Sequence, residues 1–175
     1  MVLDNYWQIR YASSQYHMWQ DNGAGHNIPV TIKDRNGTLI DQILVSGSGT
    51  SSNWEELFPM YTLRYNLKAL IGDGDVEPTS SDYALSSDIT SSTGGLTVVT
   101  GTGIDNGLVT NIIISGTNTS NSEIIIKELG IYITTRFSFI GNNPYDVLLV
   151  RELLQQPLSV PAGKGFTLTF RWVEA

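Results

Sequence analysis

The apolar segments of this chain are short, and residues that favour turns separate them. Residues 28–33 and 38–45 flank Asp34-Arg35-Asn36-Gly37, and an Asn-Gly pair between apolar runs is the strongest short signal for a β-hairpin. Residues 62–71 alternate apolar and polar side chains, with the period of two that is typical of a half-buried strand. This pattern leaves little room for crossover helices, so it predicts antiparallel sheets.

The composition points to the same fold class. Charged residues make up only 15% of the 175 residues, against roughly 25% in an average soluble domain, and Ser, Thr, Asn and Gly take their place. We predict an all-β protein, an antiparallel β-sandwich of jelly-roll type with a short N-terminal aromatic arm or helix. The length suits one hydrophobic core, so we expect an N-terminal aromatic segment at 1–27 and a single sandwich domain at 28–175.

The second half of the chain predicts further strands. Residues 123–135 are nearly all apolar, which indicates a central strand covered on both faces. Residues 96–100 and 108–115 enclose a Gly-rich turn and predict a second hairpin. We expect separate short strands at 146–151 and 158–160. After the turn at Pro161-Ala162-Gly163-Lys164, a last strand alternates apolar and polar residues, with Phe166, Leu168, Phe170 and Trp172 on one face.

Residues 72–95 form a long polar excursion between predicted strands. Four apolar residues interrupt it, and we expect them to anchor it against the core; they are Val76, Tyr83, Leu85 and Ile89.

The charge balance excludes some partners. The net charge is -7 and the pI is about 4.6, with no cluster of Lys and Arg of the kind that displaces counterions from nucleic acid. We therefore expect neither nucleic-acid binding nor attraction to an anionic membrane surface. The chain has no cysteine, which removes disulfides and thiolate metal sites. Neither a secretory signal nor a membrane span is expected from the distribution of apolar residues.

Two groups of residues carry metal-ligating atoms. Asp73, Asp75 and Glu77 place carboxylates at alternate positions, which could surround Ca²⁺. The pattern departs from an EF-hand loop in lacking the required glycine, so we favour a structural turn and keep calcium as a minor hypothesis. His17, Asp21 and His26 span a Gly-rich turn that gives no fixed geometry. We predict no metal and no other cofactor.

No motif predicts catalysis. Gly101-Thr102-Gly103 follows a predicted strand, but phosphate binding needs a helix beyond the glycines and a strand follows here. Serine is abundant, yet no nucleophile elbow occurs. Folding could still bring two carboxylates together for glycoside hydrolysis, so a hydrolase acting on host envelope polysaccharide stays as the weakest hypothesis. We expect the protein not to be an enzyme.

Glu128 lies within the most apolar predicted strand. If it is buried, it needs a partner, and Arg151 and Arg64 are the candidates. A buried carboxylate could instead serve as an acid in catalysis. We favour a structural ion pair between Glu128 and Arg151.

The N-terminal segment is rich in aromatic residues, and Asp4 is placed to cap a short helix there. Such residues can stack on sugars or pack against neighbouring subunits. We favour subunit contacts, and we expect deletion of residues 1–20 to leave the sandwich folded. The predicted interface residues are Tyr6, Trp7, Tyr11, Tyr16 and Trp19, together with Tyr83 on the polar excursion.

From Ile71 onward, a set of short motifs occurs in a fixed order. The motifs are Ile71-Gly72-Asp73-Gly74, Pro78, Ser81-Asp82-Tyr83-Ala84-Leu85, Glu128-Leu129-Gly130-Ile131-Tyr132, Arg151-Glu152, Pro161-Ala162-Gly163 and the alternating strand up to Trp172. Their order resembles a family of small structural proteins of tailed bacteriophage particles.

This resemblance implies a virion protein that packs in multiple copies on the head, neck or tail, as capsid decoration, collar or tail adaptor. Its partners would be other virion proteins and copies of itself. In the resembled family the glutamate belongs to the strand motif, and no catalysis is implied. The alternative is a receptor- or glycan-binding module of a phage fibre, with a host-surface glycan as ligand.

Overall fold

A computed structural model describes residues 1–9, 11, 26–45, 67–102, 109–135 and 145–173. Residues 4–9 are helical, and a short 3-10 turn spans Thr90–Ser92. The rest of the regular structure consists of strands β1 (His26–Lys33), β2 (Leu39–Val45), β3 (Leu67–Gly72), β4 (Thr97–Thr102), β5 (Val109–Thr117), β6 (Ile124–Thr135), β7 (Tyr145–Val160) and β8 (Gly165–Val173). Within these ranges, no helix has the length and apolar character needed to cross a membrane.

The strands form three sheets, with the orders β1-β2, β3-β6-β7 and β4-β5-β8. The pairings of β1 with β2 and of β5 with both β4 and β8 are antiparallel. The predicted all-β, antiparallel class is therefore confirmed, and the jelly-roll order stays a prediction.

The chain divides into two compact units, each built from separated segments. The first unit contains Met1–Leu67, Pro78–Ala84 and Ile131–Arg151. The second contains Lys68–Glu77, Leu85–Gly130 and Glu152–Ala175. The predicted boundary after residue 27 falls inside the first unit, and the division into segment and sandwich domain stays a prediction.

The first hairpin forms where the Asn-Gly pair predicts it, and a buried carboxylate closes its turn. Asp34 Oδ1 accepts hydrogen bonds from the backbone N–H groups of Asn36 (2.9 Å) and Thr38 (2.7 Å). Gly37 adopts a φ of 83°, a left-handed conformation that glycine enters without steric cost. The register of β1 and β2 therefore depends on this local turn chemistry.

The second predicted hairpin is also confirmed. β4 and β5 pair from Thr97 opposite Ser115 to Thr102 opposite Thr110, although the connecting residues 103–108 lie outside the described ranges. β5 pairs on its other side with β8, where Phe166 is buried and Thr167 is exposed, as the alternation predicts.

The central position of β6 is confirmed, since it lies between β3 and β7. All residues from 128 to 133 are buried. Because successive side chains of a strand point to opposite faces, both faces are covered there. The prediction is wrong for the beginning of the strand, where Ile125 is exposed.

The prediction of two short strands at 146–151 and 158–160 is wrong, because β7 runs without a break from Tyr145 to Val160. Its first half is buried, whereas residues 155–157 are exposed, so the apolar pattern that marks a strand disappears while the backbone stays extended. Pro157 lies in this part. A proline has no N–H to donate and is tolerated in an edge strand, and β7 is the last strand of its described sheet.

The N-terminal segment contributes to the core of the first unit. Leu3, Tyr6 and Ile9 are buried, and the Leu3 N–H donates a hydrogen bond to the Leu149 carbonyl over 2.9 Å. These contacts argue against the expectation that residues 1–20 can be deleted without unfolding, which stays a prediction. A short helix is present as predicted, but Asp4 lies within it, and its carboxylate accepts a hydrogen bond from Ser80 Oγ over 3.1 Å.

The apolar anchors predicted for the polar excursion are only partly correct. Leu85 is buried and Ile89 is half-buried, but Val76 is 61% exposed and Tyr83 is 37% exposed. The prediction that Val76 anchors the excursion against the core is therefore wrong. Polar contacts to buried charges hold much of this segment instead.

Replacing Leu3 by Ala should lower the free energy of unfolding by about 2–5 kcal/mol, because it removes a fully buried side chain and leaves a cavity. Trp7→Ala, at an exposed position of the same segment, is the matched control and should change stability by well under half of that. Urea unfolding followed by far-UV circular dichroism measures both. Equal stability of the Leu3→Ala variant and the wild type would show that the segment is a separable arm.

Candidate functional site

Glu128 on β6 is fully buried at 0% exposure, and the polar excursion supplies donors to its carboxylate. Oε1 accepts hydrogen bonds from Ser86 Oγ (2.9 Å) and from the Ser87 backbone N–H (2.8 Å). Oε2 accepts one from the Ser86 backbone N–H over 3.2 Å. A buried carboxylate is stabilised by such donors, because they replace the water it has lost.

Two glycines allow the backbone to approach this carboxylate. A Cβ added at Gly72 would lie 2.5 Å from both Glu128 Cγ and the Ser87 carbonyl oxygen, and one at Gly74 would lie 2.6 Å from Glu128 Oε1. Real Cβ atoms essentially never come so close. The Gly-Asp-Gly sequence at 72–74 is therefore explained by close packing around Glu128.

Arg151 on β7, in the first unit, is buried with 2% exposure. Its Nη1 donates a hydrogen bond to Asp82 Oδ2 and forms an ion pair with it. Thr79 also holds the Asp82 carboxylate, because its backbone N–H donates to Oδ2 over 3.0 Å and its hydroxyl donates to Oδ1 over 2.7 Å. The segment Pro78–Ala84 is thus tied to a buried guanidinium.

Opposing effects act on the pKa of Asp82. Burial raises it, since a charged carboxylate loses hydration. The hydrogen bonds from the Thr79 hydroxyl and backbone and from Arg151, together with the Arg151 charge, outweigh burial and hold the pKa below its ordinary value of 3.8. Asp82 is therefore ionised in the folded protein at neutral pH.

The predicted ion pair between Glu128 and Arg151 stays a prediction. Both residues are buried and both take part in hydrogen bonds, as a structural role requires. The sequence did not predict Ser86 and Ser87 as partners of Glu128, or Asp82 as the partner of Arg151. No local spacing relates Asp82 to Arg151, which lies 69 positions away, so only folding could reveal this contact. The other candidate partner, Arg64, lies outside the described residues.

The predicted interface residues differ in exposure. Trp7 is 53% exposed and Tyr11 is 52% exposed, so both present aromatic surface to solvent. Tyr83 is also exposed. Tyr6 is 2% exposed and its ring packs edge-to-face on Trp7 with centroids 5.1 Å apart, so Tyr6 supports the surface from inside. Tyr16 and Trp19 lie outside the described residues.

The candidate calcium ligands are exposed on the excursion. Asp75 forms a 3.5 Å ion pair with Lys127, and Asp73 and Glu77 are exposed nearby in sequence. Across the described ranges, no group of three or more His, Asp or Glu residues is arranged to hold a metal ion. Calcium binding stays a minor prediction. Of the second metal candidate, His17 and Asp21 lie outside the described residues, as does the side chain of His26.

The described polar clusters connect loop residues to strand residues through hydrogen bonds. Comparisons with protein-family models, curated proteins and solved structures each gave no match.

Replacing Glu128 by Gln should lower the free energy of unfolding by about 1–3 kcal/mol, because the amide NH₂ group of glutamine would face a buried donor. Glu77→Gln, at an exposed position of the excursion, is the control and should have little effect. Chemical denaturation of both variants provides the measurement. A fully stable Glu128→Gln protein would contradict the anchoring role of the carboxylate.

Replacing Asp82 by Asn should lower the free energy of unfolding by about 3 kcal/mol at neutral pH, because it removes a negative charge that is paired with the buried Arg151 guanidinium. The folded pKa of Asp82 is lowered, so its stabilising effect is present above the ordinary value of 3.8 and is lost as the pH falls through the folded pKa. The difference in the free energy of unfolding between wild type and variant, measured by denaturation at a series of pH values, should therefore become smaller as the pH is lowered.

Asp41→Asn changes an exposed carboxylate on β2 and serves as the control for this pH series. The assigned ion pair would be contradicted if the difference in unfolding free energy between wild type and Asp82→Asn stayed constant down to the lowest pH.

Proposed function

We propose that this protein is a non-enzymatic structural component of a tailed-phage particle, packing in multiple copies on the head, neck or tail. The order of motifs from Ile71 to Trp172 supports the phage assignment by resemblance. The proposed location is the virion, and the proposed partners are other virion proteins and further copies of the chain.

The observation that carries the proposal is the exposed aromatic surface of the N-terminal segment. Trp7 and Tyr11 are half exposed on a segment whose neighbouring side chains Leu3, Tyr6 and Ile9 are buried. Large aromatic side chains held by a rigid support lose little conformational entropy on association, and Trp and Tyr are enriched at the centres of protein interfaces. We define Trp7 and Tyr11 as the aromatic surface.

The buried charges support the non-enzymatic part of the proposal. The Glu128 carboxylate is enclosed and accepts hydrogen bonds from Ser86 and Ser87. Asp82 is bound to Arg151 and Thr79. A general acid or base must reach the substrate directly or through one water, whereas these carboxylates are occupied with ordering the excursion.

The double variant Trp7→Ala, Tyr11→Ala should impair assembly. We expect the wild type to form symmetric multimers, measured by light scattering after size-exclusion chromatography and by electron microscopy. Loss of central interface aromatics should weaken association by about 2 kcal/mol or more. Ile125→Ala removes exposed apolar surface from β6 and should assemble normally.

Two outcomes would contradict the proposal. One is a double variant that assembles as tightly as the wild type, which would exclude the aromatic surface as the contact. The other is a wild type that stays monomeric but binds glycans on an array through Trp7 and Tyr11, which would favour the receptor-binding alternative.

A further inference from the structure

The tip of the first hairpin carries a cationic, aromatic surface on an otherwise acidic protein. The Lys33 ammonium lies 5.2 Å from the centroid of the Tyr83 ring, and the Arg35 guanidinium lies 5.7 Å from that of Tyr132. Both distances are within the range of cation–π attraction. The two cations are therefore held on the surface in defined positions.

Apolar area adjoins these cations. Leu39 is opposite Lys33 in the register of β1 and β2, and side chains of opposite residues lie side by side on one face of a sheet. Leu39 is 57% exposed. Tyr83 is exposed as well, and an added Cβ at Gly37 would be in ordinary contact with its ring. We call Lys33, Arg35, Leu39 and Tyr83 the basic hairpin surface.

The second unit carries a segment of complementary character. Asp73, Asp75 and Glu77 are exposed, and the side chain of Asp75 is 81% exposed despite its ion pair with Lys127. Val76, between the last two of these carboxylates, exposes 61% of its surface. We call residues 73–77 the acidic segment. The acidic segment contains an apolar side chain flanked by negative charges. The basic hairpin surface contains apolar side chains beside positive charges.

We infer that the basic hairpin surface of one copy binds the acidic segment of the next copy, in a head-to-tail contact that rests on the proposed assembly into multiple copies. Val76 packs against Leu39 and Tyr83, and the carboxylates face Lys33 and Arg35. Complementary charge selects the partner and fixes its orientation, while the apolar centre contributes hydrophobic burial. With a net charge of -7, whole copies repel one another, so a local pairing of opposite charges directs how they meet.

Charge reversal tests the contact. The variant Lys33→Glu, Arg35→Glu should raise the Kd for self-association by about tenfold or more, since like charges then face each other. The variant Asp75→Lys, Glu77→Lys should do the same. That second result is diagnostic, because the substitution makes the chain less acidic and a general charge effect would strengthen association. Sedimentation velocity across a concentration series measures both.

Mixing the two variants provides the sharpest observation. Each variant retains one intact half of the contact, and the two reversed halves carry opposite charges, so the mixture should regain the association that each variant alone has lost. The matched control is the variant Lys164→Glu, Arg171→Glu, which makes the same charge change at exposed positions of the second unit. We expect it to associate more tightly than the variant Lys33→Glu, Arg35→Glu. Circular dichroism establishes that each variant is folded.

The outcomes separate this inference from the proposed function. A wild type that assembles while neither reversal nor mixing changes its association overturns the head-to-tail contact alone. A wild type that stays monomeric overturns both. If reversal of Lys33 and Arg35 abolishes binding to an anionic polysaccharide but leaves self-association unchanged, the surface binds a glycan and the inference is wrong.

Discussion

A charged side chain stays buried only if other groups replace its hydration, and this constraint orders the long excursion between residues 72 and 95. Desolvating an ion costs several kcal/mol, so Glu128 and Arg151 each require partners within reach. Ser86 and Ser87 supply donors to Glu128 in the second unit, and Asp82 pairs with Arg151 in the first. Polar contacts therefore hold this segment in place, as apolar contacts with the core hold an ordinary loop.

The two proposed contact surfaces depend on buried residues as well. The aromatic surface belongs to a segment whose Leu3, Tyr6 and Ile9 side chains are buried, and the Tyr6 ring packs on Trp7. The basic hairpin surface rests on a turn that the Asp34 carboxylate closes. Both surfaces thus owe their positions to buried groups beneath them.

The predictions from sequence succeeded where the determining interactions are local. The Asn36-Gly37 turn specifies its hairpin because its left-handed glycine suits the twist of the two strands. The run of apolar residues in β6 identifies a central strand because a strand covered on both faces can bury consecutive side chains, as residues 128–133 are buried here. The alternation in β8 identifies the face that contains the buried Phe166, because residues two apart on a strand lie on the same face. Each of these signals lies within about ten residues of chain.

The predictions failed where the determining contacts are distant. The extension of β7 through residues 152–157 is not visible in the apolar pattern, because this part of an edge strand is exposed. The burial of Leu3 and Tyr6 depends on segments far along the chain. The partners of Glu128 could not be selected either, because serines are abundant and many could donate to a carboxylate.

The amino-acid sequence determined the β class, the turns and the need for partners at any charge placed in an apolar strand, since these follow from local sterics and from the cost of desolvation. Only the tertiary structure decided which residues pair with those charges, and that Leu3, Tyr6 and Ile9 of the N-terminal segment are buried. It also decided that Lys33, Leu39 and Tyr83 share one surface. Contacts between residues tens of positions apart depend on how strands pair and pack, which no local pattern encodes.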